Sequence, residues 1–469
     1  MIILKLALRT LLRRKRRMVS IGILVLTGTV ILVFGETVAS SAVVASKQAI
    51  IDNFTGDLIV YSEVSREKPS PFAFTTPLPV IGEIRKVQDW LDNNTDVALS
   101  VPIAQNYALI SVERGGRKIE LPFIFYAVDP EKYRAAFDII GVRDGSYFGI
   151  GTIEENPGRG ILISLAQNER FKKSYDITLS SAERVTFLGL TPGGSVNAIP
   201  TTIRGIFEPG AFKSVFDYIN FVDIITYSEL YNFTGVKSGS LPEAYEKALS
   251  SESEDDIFAL ADDPEISPIQ VETLVSEALS GYTMIAVKLN NHDGLEAFRA
   301  EIEAAGLGVK TLPWDQASGF YAPIAQSLSA VIYVIVGIIF LIVALIFMNT
   351  MIINVVERTH EIGTMRALGS EKSFIRALFV CETLLLNLFF AIAGIIISAM
   401  LMAVAGPSGL PLPDIISQFL IGGGNLPVYF SLQPFVLALV IVCVVSVLAT
   451  LYPVRVATKI SPLAALADK

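Results

Sequence analysis

The residues of this chain best placed for chemistry are few, and they are charged. Glu357, Arg358, Glu361 and Arg366 stand in the stretch Glu357–Ser370, ERTHEIGTMRALGS, between two long apolar runs. On a helix Glu357 and Glu361 share a row, and Ile362, Met365 and Leu368 recur at helical spacing. Gly369 reads as the helix stop, and Ser370 as the cap of a helix resuming with Glu371. A short amphipathic helix of this kind either lies on lipid headgroups or docks into a partner, and the residues alone leave both readings open. It offers ion pairs and an apolar ridge, not a nucleophile. Two further carboxylates, Glu36 and Glu382, fall inside apolar runs, where ionisable groups are the usual functional suspects. Glu36 is expected at the outer interface with its carboxylate reaching water. Glu382, near the inner end of its run, is expected to pair with an arginine. A proton or substrate role for either is the alternative.

Motifs of catalysis are missing from the sequence. GSEKS at Gly369–Ser373 has a lysine but not the G-x-x-x-x-G-K-[ST] spacing that cradles a nucleotide phosphate. TPGGSVN at Thr191–Asn197 lies between strand candidates and reads as a hairpin loop. There is no G-x-S-x-G and no H-E-x-x-H, and the histidines, His292 and His360, stand apart from any cysteine. The chain is expected to be no enzyme and to hold no cofactor or metal. Cys381 and Cys443 both fall in apolar runs and read as small buried hydrophobes.

The elements that must position these residues follow from hydropathy. The chain is 52% hydrophobic and only 18% charged, a composition that points to the membrane. Four runs are long enough for a span of about 20 helical residues: Met18 to about Ser40, Ser329–Val356, Ile375–Gly406 and about Pro434–Tyr452. The first is too long in its apolar core for a cleavable signal peptide. Lys5, Arg9 and Arg13–Arg17 precede it without an acid; Arg358, Arg366, Lys372 and Arg376 follow the second run; Arg455, Lys459 and Lys469 follow the last. The positive-inside rule makes these places cytoplasmic. Residues 47–325 then lie outside, with 23 Lys and Arg against 39 Asp and Glu, a net −16. Nothing in this balance points to nucleic acid.

The expected fold is therefore an α-helical membrane protein with four transmembrane helices and a large α+β extracytoplasmic domain between the first two. Its segments are a basic cytoplasmic N-terminus (1–17), a first span with its stalk (18–46), the external domain (47–325), a second stalk and span (326–356) and a cytoplasmic coupling helix (357–374). A third span (375–406), an external loop (407–432), a fourth span (433–453) and a cytoplasmic tail (454–469) complete it. In the external domain, strands are expected at Asp57–Tyr61, Tyr107–Val112, Lys118–Ala127, Ile177–Leu179, Thr201–Phe207 and Ile219–Ile225, and helices at Ile81–Leu91 and Ile161–Phe171. A β-α-β unit is expected over Tyr282–Leu312. The acidic insertion 241–280, poor in strand formers, reads as helical or disordered.

In ERTHEIGTMRALGS and the span carrying Glu382 that follows, the chain resembles the FtsX/MacB/LolCDE-type ABC transporter permeases. LALRTLLRRKRR at Leu6–Arg17 and LYPVRVATKISPLAAL at Leu451–Leu466 are similar to the family's flanks, and RGILISLAQNERF and TTIRGIFEPG to its external domain. FTGDLIVYSE at Phe54–Glu63 is most similar to the LolC/LolE lipoprotein-releasing branch. The resemblance implies a permease subunit in the bacterial inner membrane, driven by a separate ABC ATPase that binds the ATP. It implies two permease copies, identical or related, and stalks that transmit motion outward. It implies extraction of lipoproteins or other amphipathic molecules among the membrane lipids, with peptide or drug efflux, or signalling to an external hydrolase, as alternatives. It places Glu357, Arg358, Glu361, Ile362, Gly363, Met365, Arg366, Ala367, Leu368 and Gly369 on the ATPase-coupling motif, with Ile362, Met365 and Leu368 as apolar dock, Glu361 and Arg366 as charged contacts, and Gly363 allowing close approach.

Overall fold

The computed structural model describes residues 15–70, 78–148, 159–191, 193–236, 276–278 and 280–459. It divides into two units. One comprises residues 1–45, 324–413 and 424–469; the other comprises 46–323 and 414–423. The divisions near Ala45 and Pro323 fall inside continuous helices, Lys15–Ile50 and Tyr321–Glu357.

The first unit is helical. Among the described residues three helices are long and apolar enough to cross a membrane: Gly22–Thr55, Lys372–Ala405 and Gln433–Arg455. The second expected span lies within helix Tyr321–Glu357, whose described apolar stretch, Tyr333–Ile346, is shorter. The basic residues Lys5, Arg9, Arg13 and Arg14 and the whole tail after Lys459 lie outside the described residues. The N-terminal helix packs on helix Lys372–Ala405 through small residues, as apolar solvent gives no other drive for close approach. A Cβ on Gly394 would sit 2.9 Å from the Leu26 carbonyl oxygen, and one on Gly22 would overlap the Phe390 ring. Helices Lys372–Ala405 and Gln433–Lys459 are joined by a buried hydrogen bond from Asn387 Nδ2 to Ser446 Oγ, 2.6 Å.

The second unit is α+β around one large sheet. Its strands are β1 (Leu58–Ser62), β2 (Val97–Arg114), β3 (Arg117–Val128), β4 (Ile140–Gly145), β5 (Ile161–Ser164), β6 (Arg184–Leu190), β7 (Val196–Pro209), β8 (Asn220–Asp223), β11 (Met284–Leu289) and β12 (Val309–Pro313). The order is β12-β1-β11-β2-β3-β8-β5-β7-β4, and β6 pairs with both β2 and β7. Pairing around β2, β3, β8, β5, β7 and β6 thus closes on itself. The long strand β2 serves two partners on one edge: β11 as far as Ile103 and β6 from Leu109. Strands β9 (Thr234–Val236) and β10 (Ser276–Ala278) form a separate antiparallel pair.

Several local expectations change. Ile161–Phe171 is not one helix: Ile161–Ser164 is strand β5, fully buried, and the helix begins at Leu165 with the Ser164 hydroxyl accepting from Gln167 N. Ile219–Ile225 is likewise split, because the Asp223 carboxylate caps a helix Ile224–Tyr231. Ile177–Leu179 is no strand; the Asn168 amide holds Leu179 by both its N–H and its carbonyl. The end of the acidic insertion pairs as β10, while 241–275 lies outside the described residues. The expected loop 407–432 contains a helix, Asp414–Ile421, that belongs to the second unit.

That helix meets an aromatic cluster in the second unit. Phe419 lies 5.3 Å from the Tyr321 ring, which lies 5.3 Å from Phe212 and 6.4 Å from Phe54. Tyr321 Oη also bonds Ser214 Oγ at 2.5 Å. The residues that follow the N-terminal helix, those that start the second long helix and the loop helix all contribute to one core.

Candidate coupling site

Helix Tyr321–Glu357 ends at Glu357, and Arg358 breaks it, with φ −101° and ψ 13° outside the helical region. A short helix, Thr359–Ala367, follows. Its end is a glycine motif with two backbone bonds. Gly369 has φ +94°, Gly369 N donates to Arg366 O (3.1 Å) and Ser370 N donates to Met365 O (3.0 Å). These are the paired bonds that close a helix through a left-handed residue. Ser370 is spent on this stop. The next helix is preceded by Glu371 without a side-chain cap, so the expected cap at Ser370 is not formed.

Arg358 is buried and organises the segment. Its Nε donates to Glu361 Oε2 and its Nη1 to Glu382 Oε2, each at 2.9 Å. Its guanidinium lies 5.2 Å from the Phe379 ring centroid. One planar fork thus joins the short helix to the helix that carries Phe379 and Glu382, a task suited to arginine. Two assignments change as a result. Arg358 points inward, where it holds the segment together. Ile362 is fully buried with Ile375, Phe379, Leu386, Ala449 and Val454, so its side chain belongs to the chain's own core. Gly363 is buried beside it and Met365 packs partly on the same cluster. Glu357, Glu361, Ala367 and Leu368 are exposed and Arg366 is half-buried; Leu368 stands out at 88% exposure.

Glu36 is also placed differently from expectation. It is buried, and its carboxylate accepts from Tyr333 Oη at 2.7 Å. The bond joins the N-terminal helix to the second long helix. Phe379 and Tyr333 were not legible as partners. Phe379 sits three residues before Glu382, on the same helical face, which is the one signal the sequence held for it.

Residues 313–462 match the model of the FtsX-like permease C-terminal domain. The last third of the chain is thus similar to the C-terminal domain of FtsX-like permeases. The chain is 37% identical over 122 residues to the ABC transporter permease YtrF of Bacillus subtilis, which covers 25% of this chain and 27% of YtrF. It is 27% identical over 278 residues to the uncharacterized ABC transporter permease YknZ of Bacillus subtilis, covering 56% of this chain and 61% of YknZ. It is 32% identical over 140 residues to the macrolide export ATP-binding/permease protein MacB of Acinetobacter baylyi, covering 30% of this chain and 18% of MacB. The matches thus span less than two thirds of these relatives. The matched family region contains the whole Arg358 site and helix Lys372–Ala405.

Proposed function

We propose that this permease couples ATP hydrolysis in a partner ABC ATPase to movement of its second unit on the outer side of the inner membrane, working as a pair of permease copies. The observation that carries the reading is the short helix Thr359–Ala367, clamped by Arg358 and presenting Leu368 outward. A segment braced on its inner side and apolar at its outer tip can receive a push and pass it to the helices behind. Docking falls to Leu368, with Glu361, Arg366 and Glu357 beside it. Ile362, Met365 and Arg358 brace the segment from within. ATP is bound by the partner, and no cofactor is assigned to this chain.

For the cargo, we infer an amphipathic molecule taken up outside the cytoplasm. The name of the compared MacB supports small-molecule efflux. Lipoprotein release is the second reading, favoured by the stretch Gly56–Tyr61. Extracting an acyl chain from lipid costs about 0.8 kcal/mol per CH₂, which would call for an ATPase. The two readings part in a depletion strain. Efflux predicts raised sensitivity to peptides or drugs with lipoprotein sorting intact; lipoproteins retained in the inner membrane would replace efflux with release. The coupling reading is tested in liposomes holding permease and ATPase. Leu368→Asp should leave the permease folded and remove permease-dependent stimulation of ATP hydrolysis. Unchanged stimulation would refute the docking assignment.

A further inference from the structure

Strand β2 forks. Its edge partner changes from β11, ending at the pair Ile103↔Met284, to β6, starting at Leu109↔Leu188. Between them the edge of β2 faces a cavity of about 670 Å³. The lining comes from four sides: Leu78 and Val80 before helix Ile84–Asp92, Asn106 and Tyr107 of β2, Leu190 and Thr191 of the β6–β7 hairpin, and Tyr227, Tyr231 and Phe233. A volume of this size is in the range that holds a drug-sized molecule.

The fork does not leave its backbone bare. Gln105 N donates to Thr283 Oγ1 (3.0 Å), Tyr107 N to Asn106 Oδ1 (2.9 Å), and Tyr107 O accepts from Tyr231 Oη (2.9 Å). The aromatic wall is fixed in the same way. Tyr227 Oη donates to Gly281 O at 3.1 Å, and the Tyr227 ring lies 4.8 Å from Tyr231 and 6.1 Å from Phe233. Burial pushes both hydroxyls well up, so they stay uncharged. Among the described lining residues none is charged. Another cavity of the same unit, about 710 Å³, is the opposite: Asp129, Glu131, Arg134, Arg159 and Asp223 line it.

We propose that the fork of β2 is a binding site for an uncharged, largely apolar, ring-bearing small molecule, held against Tyr107, Phe233 and Leu190, with the buried Tyr227 and Tyr231 behind them. The ligand's charge is set by the lining. An ion entering this space would lose hydration and find no counter-charge among the described lining residues, whereas an uncharged ring loses little and gains aromatic contact. Asn106, Thr191 and Thr283 supply the few polar groups that orient it. The site does not rest on the coupling reading, since it lies wholly in the second unit and needs no nucleotide to fill.

The test is photolabelling of the full-length permease in lipid nanodiscs, without ATPase. The probes are 4-methylbenzophenone, uncharged, and 4-benzoylbenzoate, its anionic counterpart of similar shape. The neutral probe should label peptides bearing Tyr107, Tyr227 and Phe233, and the anion should label them about tenfold less, the burden of burying a charge. Val80→Trp, which fills the cavity, should cut neutral labelling there. Val196→Trp, on an exposed residue outside the lining, should not. Labelling of the membrane helices in the same samples serves as the standard for fold and probe concentration. Equal labelling of the fork by both probes, or labelling that survives Val80→Trp while the membrane helices label normally, would overturn the proposal. If Val80→Trp fails to fold, Leu190→Trp at the rim carries the same comparison.

Discussion

At the scale of single residues, Arg358 is the group that holds the short helix Thr359–Ala367 to the helix behind it. It serves Glu361, Glu382 and Phe379 at once, and only the first of these is exposed at the surface. Removing one member of a buried pair strands the other, at a cost of about 3 kcal/mol. Arg358→Ala should therefore lower the thermal stability of the purified permease, and the second change Glu382→Gln should restore part of it by removing the stranded charge. A pair worth nothing would show as Arg358→Ala unfolding with the wild type. Leu368→Asp is the contrasting case. The side chain is almost fully exposed, so stability should move by less than about 0.5 kcal/mol. Ile362→Ala, by contrast, opens a hole in the cluster around Phe379 and should cost roughly 2–4 kcal/mol. Measuring both by thermal unfolding separates the outward face of the short helix from its inward one.

At the scale of elements, the contact between the N-terminal helix and helix Lys372–Ala405 is set by two glycines that differ in what they face. A Cβ at Gly22 meets the Phe390 ring, a side chain able to rotate away. A Cβ at Gly394 meets the Leu26 carbonyl and Thr29 Cβ, at 2.9 and 3.0 Å, and the backbone cannot rotate away. Gly394→Leu should thus destabilise more than Gly22→Leu, by about 1–3 kcal/mol of overpacking. The reverse order in thermal unfolding would contradict this contact. The aromatic cluster around Tyr321 works on the same scale. It gathers Phe54, Phe212 and Phe419 from parts of the chain far apart in sequence, so one substitution there should loosen three connections together.

At the scale of the whole molecule, the proposed function requires that motion starting at the short helix reach the second unit. Helices Lys15–Ile50 and Tyr321–Glu357 each run without interruption from one unit into the other. A continuous helix transmits displacement along its axis better than a loop would. Cysteines at Ala42 and Ser327, with Cys381 and Cys443 first replaced, should crosslink at rates that differ between ATP-bound and ATP-free complexes. Rates independent of nucleotide at several neighbouring pairs would exclude transmission through these helices.

The sequence by itself determined what depends on local order. Long apolar runs fix where helices form, because a helix satisfies its own backbone in lipid. Gly369 fixes a helix stop, because a left-handed residue is needed there. Alternating strands around Arg114–Arg117 and Thr191–Asn197 fix their hairpins. The motif ERTHEIGTMRALGS and its flanks carried the resemblance to FtsX-like permeases. The tertiary structure decided which side chains face which. Ile362 and Leu368 belong to the same apolar spacing, yet one is buried and the other bare, because the helices carrying Phe379 and Val454 cover only one side. Glu36 turns inward because Tyr333, distant in sequence, offers it a hydroxyl. The fork of β2 exists because one strand outruns its neighbour and takes a second one. Such choices rest on contacts between residues far apart in the chain, and no short-range pattern encodes them.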